Sequence, residues 1–238
     1  MKADAIIFDK DGTLLDFDAY WVEVTIKAVK SVLKEIGMDN TPLNEILLSF
    51  GIKGSVTDID GIVCKGTYEQ MGNAMYAVLK NYGFEGSSEK IIELVVEACN
   101  KNADAGIIKP TTPKLKEVLT ELKTKGKKLV VVTTDNVQIT HKCLETLGIE
   151  DLFDKIYTDD GKTPKKPDPY CILDYCSISG FEKQKVVMVG DTMTDINFAK
   201  NAGISVISLA HTEETKKRLS PYADEVILDF ANLIDIIE

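Results

Sequence analysis

Arginine and histidine are scarce in this sequence. Of the 28 basic residues only Arg218 is an arginine, and the only histidines are His141 and His211. An anion site built on several bidentate arginine forks is therefore excluded, and zinc sites based on histidine clusters are disfavoured. A bound anion must be held by lysine, by backbone N–H groups or by a metal ion.

Long apolar runs are also missing. No run reaches the ~18 residues that a membrane-spanning helix needs, and the first apolar stretch, Ala5–Phe8, is too short for a signal peptide. The 38 acidic residues exceed the basic ones and give a net charge of −10, which opposes non-specific binding to nucleic acid or to an anionic membrane. We expect a cytoplasmic protein with neither as a partner.

Several familiar motifs are absent. The five cysteines form no C-x-x-C pair, so reduced thiols are expected. There is no G-x-G-x-x-G and no G-x-S-x-G. Two glycine-containing stretches, 61–67 and 161–163, each match only part of a P-loop and are expected to be ordinary loops.

The second half of the chain alternates between short apolar runs and helical patterns, which predicts an α/β fold with a parallel sheet covered by helices on both faces. Strands are expected at 5–8, 128–133, 155–157, 185–189, 204–209 and 225–228. Residues 17–37, 68–82 and 88–103 have helical spacing, and a lysine-rich helix is expected within 109–128. The segment 16–106 is thus predicted to be a helical insertion after the first strand, with a Gly-rich polar stretch at 50–67.

Two aspartates follow the first strand directly. In Asp9-Lys10-Asp11-Gly12-Thr13 the carboxylates are two residues apart, so they point to the same side while the chain is extended. They sit at the carboxyl end of a buried strand, where open α/β sheets bind ligands, and Gly12 permits a sharp turn. Taken alone, the motif fits a solvated turn equally well.

Three further polar elements follow predicted strands. Thr133 and Thr134 lead into a helix N-terminus, Lys166 lies in a Pro-containing turn, and Gly190-Asp191 is followed by Asp195. Each has an ordinary alternative: Thr134 or Asp135 as a helix cap, Lys166 as a solvated lysine, Asp195 as a charge in the first turn. Four such elements in this order are difficult to attribute to chance.

As a set, these residues resemble the four motifs of haloacid dehalogenase-superfamily phosphatases, in the branch similar to phosphoglycolate phosphatase. The resemblance implies a Rossmann-like core domain of residues 1–15 and 107–238 and a helical cap domain of residues 16–106. It implies a phosphatase that hydrolyses a small phosphorylated metabolite, such as phosphoglycolate, a nucleotide or a sugar phosphate. A monomer or a homodimer is expected.

The resemblance also implies a role for each motif residue. Asp9 would be the nucleophile that forms an aspartyl-phosphate, and Asp11 would be the acid–base. Mg²⁺ would be held by Asp9, by the backbone carbonyl of Asp11 and by Asp191. Thr133 and Lys166 would bind the phosphoryl oxygens, with Thr134 as the alternative hydroxyl. The supporting residues would be Gly12, Thr13, Gly190 and Asp195, the last orienting Lys166 or a metal-bound water.

One position departs from the family pattern. The residue between the two motif aspartates is usually apolar in this branch, and here it is Lys10. We expect Lys10 to point away from Asp9 and Asp11 and to snorkel or to pair with an acid on the other face, in a structural role.

Two other functions remain open from the sequence. A phosphomutase similar to β-phosphoglucomutase would use the same aspartate to move phosphate between two sugar hydroxyls. A non-catalytic phosphate-sensing protein would keep the binding residues without turnover.

Overall fold

The structure is a computed structural model that describes all residues from Met1 to Glu238. The chain forms two compact units. One contains Met1–Asp16 and Lys109–Glu238, and the other contains Phe17–Ile108. No helix in either unit has the length and apolar character that crossing a membrane requires.

Secondary structure accounts for most of both units. The strands are β1 (Ala5–Phe8), β2 (Ile52–Lys53), β3 (Val56–Thr57), β4 (Lys128–Asn136), β5 (Lys155–Asp159), β6 (Val186–Gly190), β7 (Ser205–Leu209) and β8 (Glu225–Ile227). The helices are α1 (Phe17–Glu35), α2 (Leu43–Ser49), α3 (Ile62–Lys65), α4 (Tyr68–Asn81), α5 (Ser88–Asn102), α6 (Leu115–Thr124), α7 (Val137–Leu147), α8 (Tyr170–Ser179), α9 (Met193–Ala202), α10 (Glu213–Leu219) and α11 (Leu233–Ile236). Short 3₁₀ turns lie at Glu150–Leu152, Lys183–Lys185 and Phe230–Asn232.

The first unit is built on one parallel sheet of six strands in the order β5-β4-β1-β6-β7-β8. Strand β1 lies in the middle, with Phe8 opposite Val131 of β4 on one side and Val189 of β6 on the other. The predicted parallel α/β sheet is confirmed. The register brings the carboxyl ends of β1, β4 and β6 side by side.

Both faces of this sheet are buried, because alternate residues of each strand belong to two different apolar clusters. In β1, Ile6 and Phe8 pack with α6 and with Leu144 of α7, whereas Ala5 and Ile7 pack with α8 and α9. This two-sided burial explains why the central strands are continuous apolar runs and not alternating ones.

The second unit is mainly helical. Helices α1, α2, α4 and α5 enclose a separate apolar core that includes Phe50, Met75 and Ile91. Helix α4 begins at a capping box, in which Thr67 and Gln70 satisfy each other's backbone N–H groups. A short hairpin with two residues in each strand, β2–β3, interrupts the helices. Asp18 of α1 accepts hydrogen bonds from the backbone N–H and the hydroxyl of Thr57.

Several predicted elements need correction. The sequence predicts a polar connection at 50–67, but the structure has the β2–β3 hairpin and α3 there. Helices α2 and α10 are not predicted from the sequence. All four are seven residues or shorter, too short to show a helical or strand period. Strand β4 runs on to Asn136, past the predicted end at Thr133, and α6 covers only part of 109–128.

The packing of α6 on the sheet predicts a large effect of truncating one of its side chains. Leu119 has no exposed surface, so Leu119→Ala should lower the free energy of unfolding by about 2–5 kcal/mol. Ile178→Ala on α8 is the control, because 61% of Ile178 is already exposed and the change should be within about 0.5 kcal/mol. Equal losses in chemical denaturation would contradict the described packing.

Candidate active site

The candidate site begins where β1 ends. The Asp9 N–H donates to the carbonyl of Val189 in β6, 2.9 Å away, so the backbone is still held in the sheet when the first aspartate is reached. Asp9 itself is buried, with 7% of its surface exposed. Its carboxyl group is therefore fixed between the ends of two neighbouring strands.

A tight turn follows Asp9. The Lys10 carbonyl accepts from the N–H groups of Leu14 and Leu15, both at 2.9 Å, which folds the loop back on itself. Gly12 has φ +83°, and a Cβ on it would lie 2.2 Å from Oδ2 of Asp191. Only glycine permits both this backbone conformation and the close approach of the loop to the Asp191 carboxylate.

Three carboxylates converge behind this turn. One oxygen from each of Asp9, Asp191 and Asp195 lies within 4.8 Å of the others, and we refer to these residues as the acidic triad. Thr13 is buried, and its hydroxyl donates to Oδ1 of Asp191 at 3.1 Å. Asp191 follows β6 directly and Asp195 lies in the first turn of α9, so strand ends and a helix start assemble the triad.

Burial makes the triad a poor place for three negative charges. It raises the pKa of Asp9 to about 7, with the charges of Asp195 and Asp11 adding to the effect and Lys166 opposing it. Burial, together with the charges of Asp9 and Asp195, also raises the pKa of Asp191 well above its usual range. A cation beside Asp9 and Asp191 would remove this repulsion, and a set of carboxylate oxygens suits a hard divalent cation.

One buried lysine already serves the triad. The Lys166 ammonium, after β5, donates to Oδ1 of Asp9 and, at 2.7 Å, to Oδ1 of Asp195. Only 5% of the Lys166 side chain is exposed, and although burial opposes its charge, Asp195 and Asp9 outweigh that effect and raise its pKa. Lys166 therefore carries a positive charge at the point where Asp9 and Asp195 meet.

The start of α9 fixes Asp195 from the other side. Thr192 caps the helix and donates its hydroxyl to Oδ2 of Asp195 at 2.6 Å, and the same oxygen accepts from the Thr192 N–H. A Cβ on Gly190 would lie 2.4 Å from the Cβ of Asp195. Gly190 is thus required for the close packing of β6 against Asp195.

The end of β4 contributes a second polar segment. Thr133 is buried and its hydroxyl oxygen accepts from the N–H of Asp135 at 3.1 Å, whereas Thr134 is exposed. Asn136 caps α7 by accepting from the Ile139 N–H at 2.9 Å. Threonine hydroxyls and a helix start thus lie at the same end of the sheet as Asp9.

The prediction that Lys10 points away from Asp11 is wrong. Its ammonium lies 2.7 Å from Oδ1 of Asp11 and 3.2 Å from Oδ2 of Asp135, and the side chain has no exposed surface. Burial opposes this charge, but the two carboxylates outweigh it and raise the pKa of Lys10. The Lys10 side chain does not reach solvent, because it is fully enclosed and pairs with Asp11 and Asp135 in the interior.

No role is predicted for His211 from the sequence, and Asp135 is predicted only as a possible helix cap. Nε2 of His211 lies 2.7 Å from the carbonyl of Gly12, in the turn that carries Asp11, and Asp135 is a partner of Lys10. His211 follows β7 at the carboxyl end of the same sheet, and that position was the available signal. Asp135, at the end of β4, shares this positional signal, but only the fold brings it to Lys10.

The close approach of Gly190 to Asp195 generates a prediction. Gly190→Ala should destabilise the protein by about 1–3 kcal/mol, because the added methyl group and the Asp195 side chain cannot occupy the same space. Gly190→Val should cost more, since the overlap is larger. An alanine variant with wild-type stability in thermal unfolding would contradict this packing.

Comparisons with known proteins agree with this geometry. The chain is 26% identical over 250 residues to a phosphoglycolate phosphatase of Psychrobacter arcticus, an alignment that covers all of this chain and 96% of that protein. It is 29% identical to the pyrophosphatase PpaX of Bacillus velezensis, with 96% and 93% of the two chains covered. Both alignments extend over both compact units.

A solved structure shows the same fold. The crystal structure of a protein from Haemophilus somnus, described as a predicted phosphoglycolate phosphatase, matches with a TM-score of 0.71 at 22% identity and covers 98% of this chain and 97% of its own. The family model for haloacid dehalogenase-like hydrolases matches residues 3–203, which include Asp9, Lys166 and Asp191. Since this match spans most of the 238 residues, the chain belongs to the haloacid dehalogenase-like hydrolase family.

Proposed function

We propose that the protein is a Mg²⁺-dependent phosphatase that hydrolyses a small phosphorylated metabolite through a phosphoryl group carried on Asp9. The observation that carries the proposal is the placement of Asp9. It is a buried carboxylate at the end of the central strand, held by the Lys166 ammonium beside a second carboxylate, Asp191. The phosphatase names of the aligned relatives support the same reaction class.

In the first step, a carboxylate oxygen of Asp9 attacks phosphorus. The new O–P bond forms as the bond from phosphorus to the leaving oxygen breaks, and Asp11 gives that oxygen a proton. Asp11 suits this role because it lies two residues beyond Asp9 in the same turn, and its side chain is less enclosed, at 18% exposed against 10% for Asp9. The products are an aspartyl-phosphate and a free alcohol, or phosphate when the substrate is pyrophosphate.

In the second step, water takes the place of the leaving group. Asp11, now ionised, accepts a proton from the water as its oxygen attacks phosphorus, and the bond between phosphorus and Asp9 breaks. Inorganic phosphate leaves, and both aspartates return to their starting states. A single carboxyl group thus serves as acid and then as base.

The phosphoryl oxygens need positive charge that an arginine-poor sequence must supply otherwise. Lys166 would provide it on one side, and on the side of β4 the Thr133 hydroxyl, with Thr134 as the exposed alternative, would donate a hydrogen bond. Lys166 keeps its orientation through Asp195, which the Thr192 cap holds in place. Because Lys166 and Thr133 are enclosed and hydrogen-bonded, they would need little reorganisation when substrate binds.

Mg²⁺ would be held by Asp9, by the backbone carbonyl of Asp11 and by Asp191, with Thr13 orienting the Asp191 carboxylate. The raised pKa values of Asp9 and Asp191 support a cation at this place, since the two carboxylates repel each other without one. When bound, the ion would offset the negative charge of the phosphoryl group and of the acids around it.

The helical unit Phe17–Ile108 would act as the cap that selects the leaving group. The relatives that align with both units are named for phosphoglycolate and for pyrophosphate, two small phosphorylated compounds of different shape. We therefore propose small phosphorylated metabolites as the substrate class. The protein would work as a monomer or a homodimer.

Removing the charge of Asp9 should stop the reaction. Asp9→Asn keeps the size of the side chain but cannot attack phosphorus, so phosphate release from p-nitrophenyl phosphate, phosphoglycolate and pyrophosphate should fall by ~10³-fold or more. Asp4→Asn, an exposed position just before the same strand, is the matched control and should keep full activity. A folded Asp9→Asn protein with near-normal turnover would end the proposal.

Metal removal gives a separate test. Excess EDTA should abolish phosphate release, Mg²⁺ should restore it, and Ca²⁺ should restore it poorly because its coordination is larger and looser. Mg²⁺ should also raise the unfolding temperature, since it binds the native state, and Asp191→Asn should remove that shift. Full activity in excess chelator would rule out the metal site.

A further inference from the structure

Lys10 is fully buried, and burying its positive charge costs free energy. It is among the largest side chains that have no exposed surface, and lysine is rarely enclosed unless its ammonium group is paired. Its neighbours in sequence are Asp9 and Asp11, so the lysine lies inside the proposed catalytic turn. The cost of burying it calls for an explanation beyond filling space.

The ammonium joins two segments that are distant in sequence. It contacts Oδ1 of Asp11 at 2.7 Å and Oδ2 of Asp135 at 3.2 Å, and the side chains of these acids are only 18% and 10% exposed. Asp11 belongs to the turn after β1, and Asp135 lies near the end of the neighbouring strand β4. Taking away the lysine would leave two enclosed carboxylates without this countercharge.

Asp135 in turn is tied to the proposed phosphate-binding segment. Its N–H donates to the Thr133 hydroxyl oxygen at 3.1 Å, and its Oδ1 accepts from the Asn136 N–H at 2.9 Å. Asn136 is the residue that caps α7. The Asp135 carboxylate is thus bonded to the capping residue of α7, and the Asp135 backbone is bonded to Thr133, so Lys10 contacts a residue that connects to both.

The two buried lysines serve different acids. Lys166 contacts Asp9 and Asp195, whereas Lys10 contacts Asp11 and Asp135. Charge neutralisation around the nucleophile is thus the task of Lys166. Lys10 instead contacts Asp11, the residue proposed to donate and accept the proton.

We propose that Lys10 is a positioning residue that fixes the Asp11 carboxyl group relative to the segment Thr133–Asn136. The inference rests on the proposed function, in which Asp11 protonates the leaving oxygen. Its consequence is specific. If Asp11 is less well positioned, phosphorylation of Asp9 should slow. It should slow more for substrates whose leaving group needs a proton than for substrates whose leaving group departs as a stable anion.

The test compares phenyl phosphate with p-nitrophenyl phosphate, because p-nitrophenolate leaves readily without protonation. Lys10→Met should lower kcat/KM for phenyl phosphate ~10-fold more than kcat/KM for p-nitrophenyl phosphate, because kcat/KM reports the phosphorylation of Asp9 and not the later hydrolysis that both substrates share. In an Asp11→Asn background the same Lys10→Met change should have little further effect on either substrate, since the two residues act as one unit. Lys217→Met, at an exposed position on α10, is the control and should leave both rates unchanged.

A second variant and a second measurement keep the test decisive. Asp135→Asn keeps the side-chain size and removes one anchor, so it should show the same discrimination between substrates to a smaller degree, and it decides the matter if Lys10→Met does not fold. Amide hydrogen exchange at residues 11–13 and 133–136 should quicken in both variants. This readout does not depend on turnover.

Three results would overturn the inference. They are equal losses of kcat/KM on the two substrates, additive losses in the Asp11→Asn background, and unchanged hydrogen exchange in both segments. Wild-type protein that releases phosphate from neither of these substrates, nor from phosphoglycolate or pyrophosphate, would instead overturn the proposed function. In that event the exchange measurement alone would still decide whether Lys10 holds the two segments together.

Discussion

Repulsion among carboxylates is the constraint on which the rest of this site depends. Five acids gather at the carboxyl end of the sheet, and two buried lysines lie among them. Carboxylates this close together repel each other strongly in a poorly solvated interior. They can be ionised there only if positive charges lie beside them. Each lysine contacts two of the acids, and a divalent cation would neutralise the negative charge that the two lysines leave. The acids are Asp9, Asp11, Asp135, Asp191 and Asp195.

The parallel sheet makes this concentration of charge sustainable. Strand β1 is enclosed between β4 and β6 and between two apolar layers, so its end is held by packing on every side. Close backbone approaches at Gly12 and Gly190 bring the turn and the strand against Asp191 and Asp195. Packing in the fold thus offsets the free-energy cost of the charged site, and in the proposed reaction the same residues would bind the phosphoryl group of the substrate.

Much of this was predictable from the sequence, for identifiable reasons. Buried parallel strands are continuous apolar runs, so β1, β6 and β7 stand out, and the polar residues after a strand must lie at the ligand-binding end. Short elements such as α2 and α10 carry too few residues to show a period. The contact of Lys10 with Asp135 joins positions 125 residues apart, and no local pattern encodes such a contact.

The central claim is that Asp9 carries the phosphoryl group, and trapping that species tests it most directly. Wild-type protein mixed with Mg²⁺ and an aligned relative's substrate, phosphoglycolate or pyrophosphate, would be quenched in acid within the first turnover. The account predicts the mass of one phosphoryl group on the peptide that contains Asp9, lost on exposure to alkali as an acyl phosphate must be. Turnover without any phosphorylated peptide, or with the group on a residue other than Asp9, would contradict it.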